Sequence, residues 1–218
     1  AAAPQPHAIT YRTTFKGMNA GDLELRLTRS GGTWAYETRA NPSFLARLAV
    51  NPASRERGEF RLGPDGVQPL RYSLDDGTKD AAKDVRLEYD WTRARVAGTA
   101  RGERVDLPVE PGTQDALSIR AAVLADLASG REPSEYHMID GHEIKTYVYR
   151  REGTQRLKTA LGELDTVIYT SRRKDADARA RSWKYWYAPS QGWLPVRIEQ
   201  IDKGEPRIVF TVRGLQWL

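Results

Sequence analysis

No cysteine occurs in the 218 residues. Disulfide scaffolds, thiolate metal sites and cysteine nucleophiles are therefore excluded, and the fold is indifferent to the redox state of its compartment. Histidine is nearly as scarce, with only His7, His137 and His142. None sits in an H-E-x-x-H, a paired-ligand or an acidic calcium-loop pattern, so metal catalysis has no support in the sequence. The phosphate-binding glycine loops G-x-x-x-x-G-K-[ST] and G-x-G-x-x-G are missing, as is the G-x-S-x-G turn that exposes a nucleophilic serine. No stretch approaches the roughly 18 apolar residues of a membrane-spanning helix. These absences point away from catalysis, and a non-catalytic role with no cofactor is the expectation.

What is present is alternation. Ile9, Tyr11, Thr13 and Phe15 alternate with polar residues, as do Leu23, Leu25 and Leu27, and then Trp34, Tyr36 and Thr38. Period-two segments separated by Asn, Asp and Gly turns predict antiparallel strands with one wet face. The pattern continues to the end of the chain, and two segments break it. In "NPSFLARLAVNP", Asn41 and Pro42 predict the start of a short helix with Phe44, Leu45 and Leu48 as its apolar stripe. In "PGTQDALSIRAAVLADLASG", Thr113 or Asp115 caps a long helix with Leu117, Ala121, Leu124 and Ala128 on one stripe, ended by Gly130. Many short strands with almost no crossover helices predict a mainly β protein. The expected architecture is a single strongly curved antiparallel sheet or incomplete β-barrel of about a dozen strands, closed by one long and one short helix. Residues 8–218 form one domain in this reading. Residues 1–7 are expected to be a flexible lead, since "AAAPQP" resembles what signal-peptide cleavage leaves behind.

Charge is plentiful but scattered. The net charge is +5, and the 26 arginines and 8 lysines are spread through nearly every strand. Such spreading reads as a solvated face, and with acidic residues interrupting each basic run it argues against nucleic acid. Aromatics are concentrated instead. Five of the twenty lie between Trp183 and Trp193 in "SWKYWYAPSQGW". In a strand, Trp183, Tyr185 and Tyr187 share one face, while Lys184 and Trp186 take the other. The expectation is an inner aromatic face and an outer indole beside Lys184 or Arg197.

Three motifs carry a family resemblance. They are G-T-x-D-x-L-S at the start of the long helix, L-K-T-x-x-G-x-L-x-T at Leu157–Thr166, and W-x-A-P-x-x-x-x-L-P-V-R-I at Trp186–Ile198. The chain resembles the domain-of-unknown-function 3108 family of bacterial envelope proteins. Members are similar in organisation to periplasmic lipoprotein carriers of the Lol type, which are incomplete barrels with an apolar cavity covered by helices. The resemblance implies a location in the periplasm of a Gram-negative bacterium and a lipid or acyl chain as ligand, and it is compatible with peripheral membrane contact. Trp34, Tyr36, Phe44, Leu45 and Leu48 would then line the mouth and lid. Leu117 and Leu124 would face the cavity from the helix, with Trp183, Tyr185 and Tyr187 on the wall. The long helix either borders such a cavity or plugs it. The alternative function is a cell-envelope interaction module that docks a protein partner through a strand edge or a basic face.

Overall fold

The computed structural model describes residues 3–48, 53–177 and 180–218. Eight strands come first: β1 (His7–Phe15), β2 (Met18–Ser30), β3 (Thr33–Pro42), β4 (Arg55–Gly63), β5 (Gly66–Asp75), β6 (Val85–Asp90), β7 (Arg95–Ala100) and β8 (Glu103–Pro108). The helix α1 (Ser118–Ala128) follows. Six more strands complete the chain: β9 (Glu135–Asp140), β10 (Glu143–Thr159), β11 (Gly162–Arg173), β12 (Ser182–Ala188), β13 (Leu194–Asp202) and β14 (Glu205–Trp217). All fourteen belong to one antiparallel sheet in the order β8 to β1, then β14 back to β9. Two meanders are thus joined where the first and last strands pair, His7 opposite Trp217 and Phe15 opposite Ile208.

The sheet curls until its edges, β8 and β9, approach each other without pairing. The chain between them bridges the seam. Val109 donates its N–H to Ala94, Gln114 donates to His137, and Ile139 donates back to Gln114 at 2.9 Å. The buried side chain of Gln114 donates to the Val67 carbonyl at 2.9 Å, tying the bridge to β5 as well. Two contacts join the turns on either side, an ion pair of Arg101 with Asp140 at 3.8 Å and an approach of His142 Nδ1 to Glu103 Oε2 at 3.1 Å. Beyond Val148 the strand β10 outruns β9 and pairs only with β11, so an edge remains there.

Helix α1 enters from one end and is buried on nearly every side, with Ser118, Ile119, Ala121, Val123, Leu124, Ala125 and Leu127 all inside. Asp115 caps it by accepting the N–H groups of Leu117 and Ser118 at 2.9 and 2.8 Å. Leu117 is fully buried against β4. That contact needs Gly58, since a Cβ there would sit 2.9 Å from the Leu117 Cβ.

Three features differ from the sequence reading. Among the described residues there is one α-helix, not two, and the strands number fourteen against the expected dozen or so. Asn41 and Pro42 extend β3 because Pro42 pairs with Gly21, and only a single 3-10 turn, Ala46–Leu48, follows. Gly21, at φ +103°, makes this pairing feasible: a Cβ there would lie 2.2 Å from the Asn41 carbonyl. An isolated two-turn helix is marginal, and continued pairing with β2 outcompetes it. His7 was assigned to the flexible lead, yet it begins β1. It is 1% exposed and packed edge-on against Tyr36 and Trp217.

Candidate functional site

The curled sheet encloses more space than α1 fills. A cavity of about 250 Å³ lies between one side of the helix and the inner faces of β1–β3 and β9–β14. Its helix side is formed by Ile119, Arg120, Val123 and Leu124. Buried Ile9, Leu124 and Leu194 mark the end that the helix and the chain termini close. Half-buried Leu23, Thr38, Trp183 and Phe210 line the opposite end, so the cavity opens there. The connections at that end include the β1–β2 turn and the β3–β4 loop. Both present large apolar side chains to solvent: Met18, Phe44 and Leu45. Ser43 holds the two together, bonding through its N–H to Ala20 and through its hydroxyl to the Asn19 carbonyl at 3.0 Å.

The aromatic strand β12 supplies one wall. Trp183, Tyr185 and Tyr187 all reach the cavity, and their rings stack in sequence at 6.5 and 5.6 Å between centroids. Tyr149 of β10 stacks on Tyr185 at 6.1 Å and extends this wall sideways. Trp186 faces outward, with Lys184 and Arg197 at 5.0 and 5.4 Å from its ring and its Nε1 donating to Gln155 at 2.9 Å. The split of the aromatic cluster into two faces is therefore as the alternation predicts. One detail differs. A bulge between Trp186 and Tyr187 shifts the register of β13, so Pro195, not Val196, lines the cavity beside Leu194 and Ile198.

Of the residues singled out from the sequence, Tyr36, Leu124, Trp183, Tyr185 and Tyr187 converge on this cavity. Trp34 and Leu117 do not. Trp34 is buried near the β2–β3 turn, stacked on Phe60 at 6.4 Å and covered by Arg29. Leu117 turns toward Gly58 on the other side of the helix. Phe44 and Leu45 are 84% and 69% exposed, on the rim side and not in the lining. Leu48 ends the 3-10 turn, and its side chain lies outside the described residues.

One lining residue escaped the sequence reading. Arg120 is a lone cation in an apolar helix, and its charge was counted with the scattered surface arginines. Among the described residues its side chain forms no ion pair or hydrogen bond, and its Nε is buried without a partner. Burial alone would lower its pKa, but Tyr185, Glu56, Tyr11 and Tyr36 around it hold the value above that of a free guanidinium. Burial pushes the hydroxyls of Tyr11, Tyr36, Tyr185 and Tyr187 well above the usual phenol range, so each stays neutral. The cavity is thus an apolar and aromatic chamber with a single fixed positive charge.

The same architecture recurs among solved structures. A β-barrel-like protein of the DUF1849 domain of unknown function from Brucella abortus superposes with a TM-score of 0.59 at 11% identity, over 100% of both chains. Weaker likenesses are a candidate lipoprotein of Parabacteroides distasonis (TM-score 0.39, 10% identity, 99% of this chain and 100% of that one) and a candidate exported protein with a YmcC-like fold from Bacteroides fragilis (0.38, 9%, 98% and 97%). None of these three is described as a Lol-type carrier. No curated protein matches the sequence. The family model described as "Protein of unknown function (DUF3108)" matches residues 10–211, which is nearly the whole fold, and the chain belongs to that family.

Proposed function

We propose that this protein binds a single-chain hydrophobic molecule of the bacterial envelope, an acyl chain or a lipid that carries one, without acting on it chemically. The observation that carries this reading is the unfilled chamber between α1 and the sheet. Its volume of about 250 Å³ falls just below the range of roughly 300–1,000 Å³ usual for ligand pockets. Room for roughly eight waters suits one tail and not a multiply acylated lipoprotein anchor. In this respect the reading departs from the Lol-type carriers. Binding fits the chemistry better than catalysis does, because phenols held this far up are weak proton donors and a permanently charged guanidinium supplies no base near neutral pH. The periplasm is the proposed compartment, and no helix among the described residues is long and apolar enough to cross a membrane. Met18, Phe44 and Leu45 would let the open end touch a membrane while the ligand moves.

The test is native mass spectrometry of protein purified without denaturation, followed by lipid extraction. Co-purification of one acyl-chain molecule per protein is expected, with occupancy reduced in Trp183→Asp. An empty protein that also ignores fatty-acid probes overturns the reading. If, instead, crosslinking recovers a stable protein partner that is lost on charge reversal at Arg172 and Arg173, the interaction-module function is favoured.

A further inference from the structure

Hydrophobic binding leaves Arg120 without a purpose. Arg120 is half-buried with its Nε shut away from water, and a guanidinium so placed is unfavourable unless an opposite charge or a full set of acceptors meets it. Here neither does. Glu56, the carboxylate whose charge reaches it, is engaged elsewhere: it accepts from the Tyr72 hydroxyl at 2.7 Å and from Thr38 at 3.4 Å, and it makes no ion pair with Arg120. Asp115, five residues earlier, uses its Oδ1 for the N–H groups of Leu117 and Ser118. Tyr11 is likewise committed, donating to the Pro195 carbonyl at 2.7 Å. The Tyr36 hydroxyl beside Arg120 has no hydrogen bond to a described residue and is a second free donor on the cavity wall. A planar fork of N–H donors next to a phenol matches an oxyanion with two or three oxygens.

We propose that the cavity selects amphiphiles with an anionic head, a carboxylate or a phosphate monoester, seated on Arg120 and Tyr36 with its single tail against the aromatic and aliphatic wall. The inference rests on the hydrophobic-ligand reading and adds to it the chemistry of the head. A bare anion would satisfy Arg120 yet leave the apolar lining uncovered. A neutral tail would do the reverse.

The delipidated chain of 218 residues separates these cases by calorimetry at neutral pH, with decanoate, decyl phosphate, decanol, decyltrimethylammonium, acetate and inorganic phosphate as probes. At least one of the two anionic amphiphiles is expected to bind ten-fold or more tightly than decanol. The tighter of the two identifies the head. The cationic amphiphile should bind more weakly than decanol, and acetate and inorganic phosphate should not bind measurably. Arg120→Met should bring the anionic amphiphile down to the level of decanol measured on the same variant. Tyr36→Phe should lose part of the preference. Equal binding of decanol and both anionic amphiphiles by the unaltered protein overturns this inference and leaves the hydrophobic-ligand reading standing. So does a preference that survives Arg120→Met, or tail-free anions that bind as well as the amphiphiles. If nothing with a ten-carbon tail binds, the hydrophobic-ligand reading itself fails, and this inference with it. The head-group comparison needs no variant, so a poorly folding Arg120→Met leaves it decisive.

Discussion

Asp115 and Arg120 place opposite charges on different sides of the first turn of α1, and each has a measurable energetic consequence. Burial raises the Asp115 carboxyl from 3.8 to about 6, against the lowering effect of the two N–H groups and of Ser118. The folded state therefore binds a proton more readily than the unfolded chain between about pH 4 and 6. Stability from this group is fully present below the unfolded value and is lost as pH rises through the folded one. At about 1.4 kcal/mol per unit the ionised carboxylate costs roughly 3 kcal/mol above pH 6. Asp115→Asn keeps an oxygen for the capping N–H groups and removes the charge. Urea unfolding should show the variant gaining about 2–3 kcal/mol at pH 7.5 relative to pH 4, compared with the unaltered protein. An unchanged pH profile would show that Asp115 is not buried as described. Arg120→Met should leave the ligand-free protein at least as stable as the unaltered one, because the half-buried guanidinium gives up no ion pair or side-chain hydrogen bond. A lower urea midpoint for that variant in delipidated protein would mean that Arg120 has partners within the fold.

At the scale of elements, alternation made most of the strands readable, and its failures have local causes. β10 reads as two strands because a bulge between Arg151 and Gly153 interrupts the pattern, yet it pairs with β11 on both sides of it. The bulge between Trp186 and Tyr187 breaks the alternation of β13 locally, so Leu194 and Pro195 both line the cavity and Val196 does not. Neither Gly153 nor Pro195 announces which neighbour it will pair with. Tyr36, Trp183, Tyr185 and Tyr187 were legible because strand parity alone decides whether they face inward. Leu117 and Arg120 were not: the helix is buried all round, so periodicity does not tell the side facing the cavity from the side facing β4. What marks Arg120 is being the only charge between Ser118 and Ala125, and that becomes informative once the helix is known to be enclosed. The Gly58–Leu117 contact fixes how deeply the helix is seated. Gly58→Ala should destabilise by about 1–3 kcal/mol through overpacking. Leu117→Ala should cost about 2–5 kcal/mol by leaving a cavity. Because the nearest clashing atom is the Leu117 Cβ, which alanine retains, Leu117→Ala should not rescue Gly58→Ala in a double-mutant cycle of denaturation midpoints. Full rescue would mean that the helix sits elsewhere.

At the scale of the whole molecule, the two ends of the barrel differ in a way that gives the proposed function a direction. One end is closed by α1, by His7 and Trp217 packed against each other, and by Leu124 and Leu194. The other carries the half-buried lining and the exposed Met18, Phe44 and Leu45. Exposed large apolar side chains gathered beside an opening mark a surface for something apolar, and scattered single ones would not. Their contribution should be to the rate of exchange with a membrane and not to the affinity of the bound state, because they lie outside the lining. The double variant Phe44→Ser, Leu45→Ser should therefore bind dissolved decanoate with the same affinity as the unaltered protein. Its uptake of a fluorescent fatty acid from phospholipid vesicles, followed by stopped-flow, should slow several-fold. Trp183→Asp, which alters the wall, should weaken binding in both formats. If the double variant loses affinity in solution to the same extent as it loses uptake from vesicles, Phe44 and Leu45 close over the ligand, and the rim acts as a lid and not as a membrane contact.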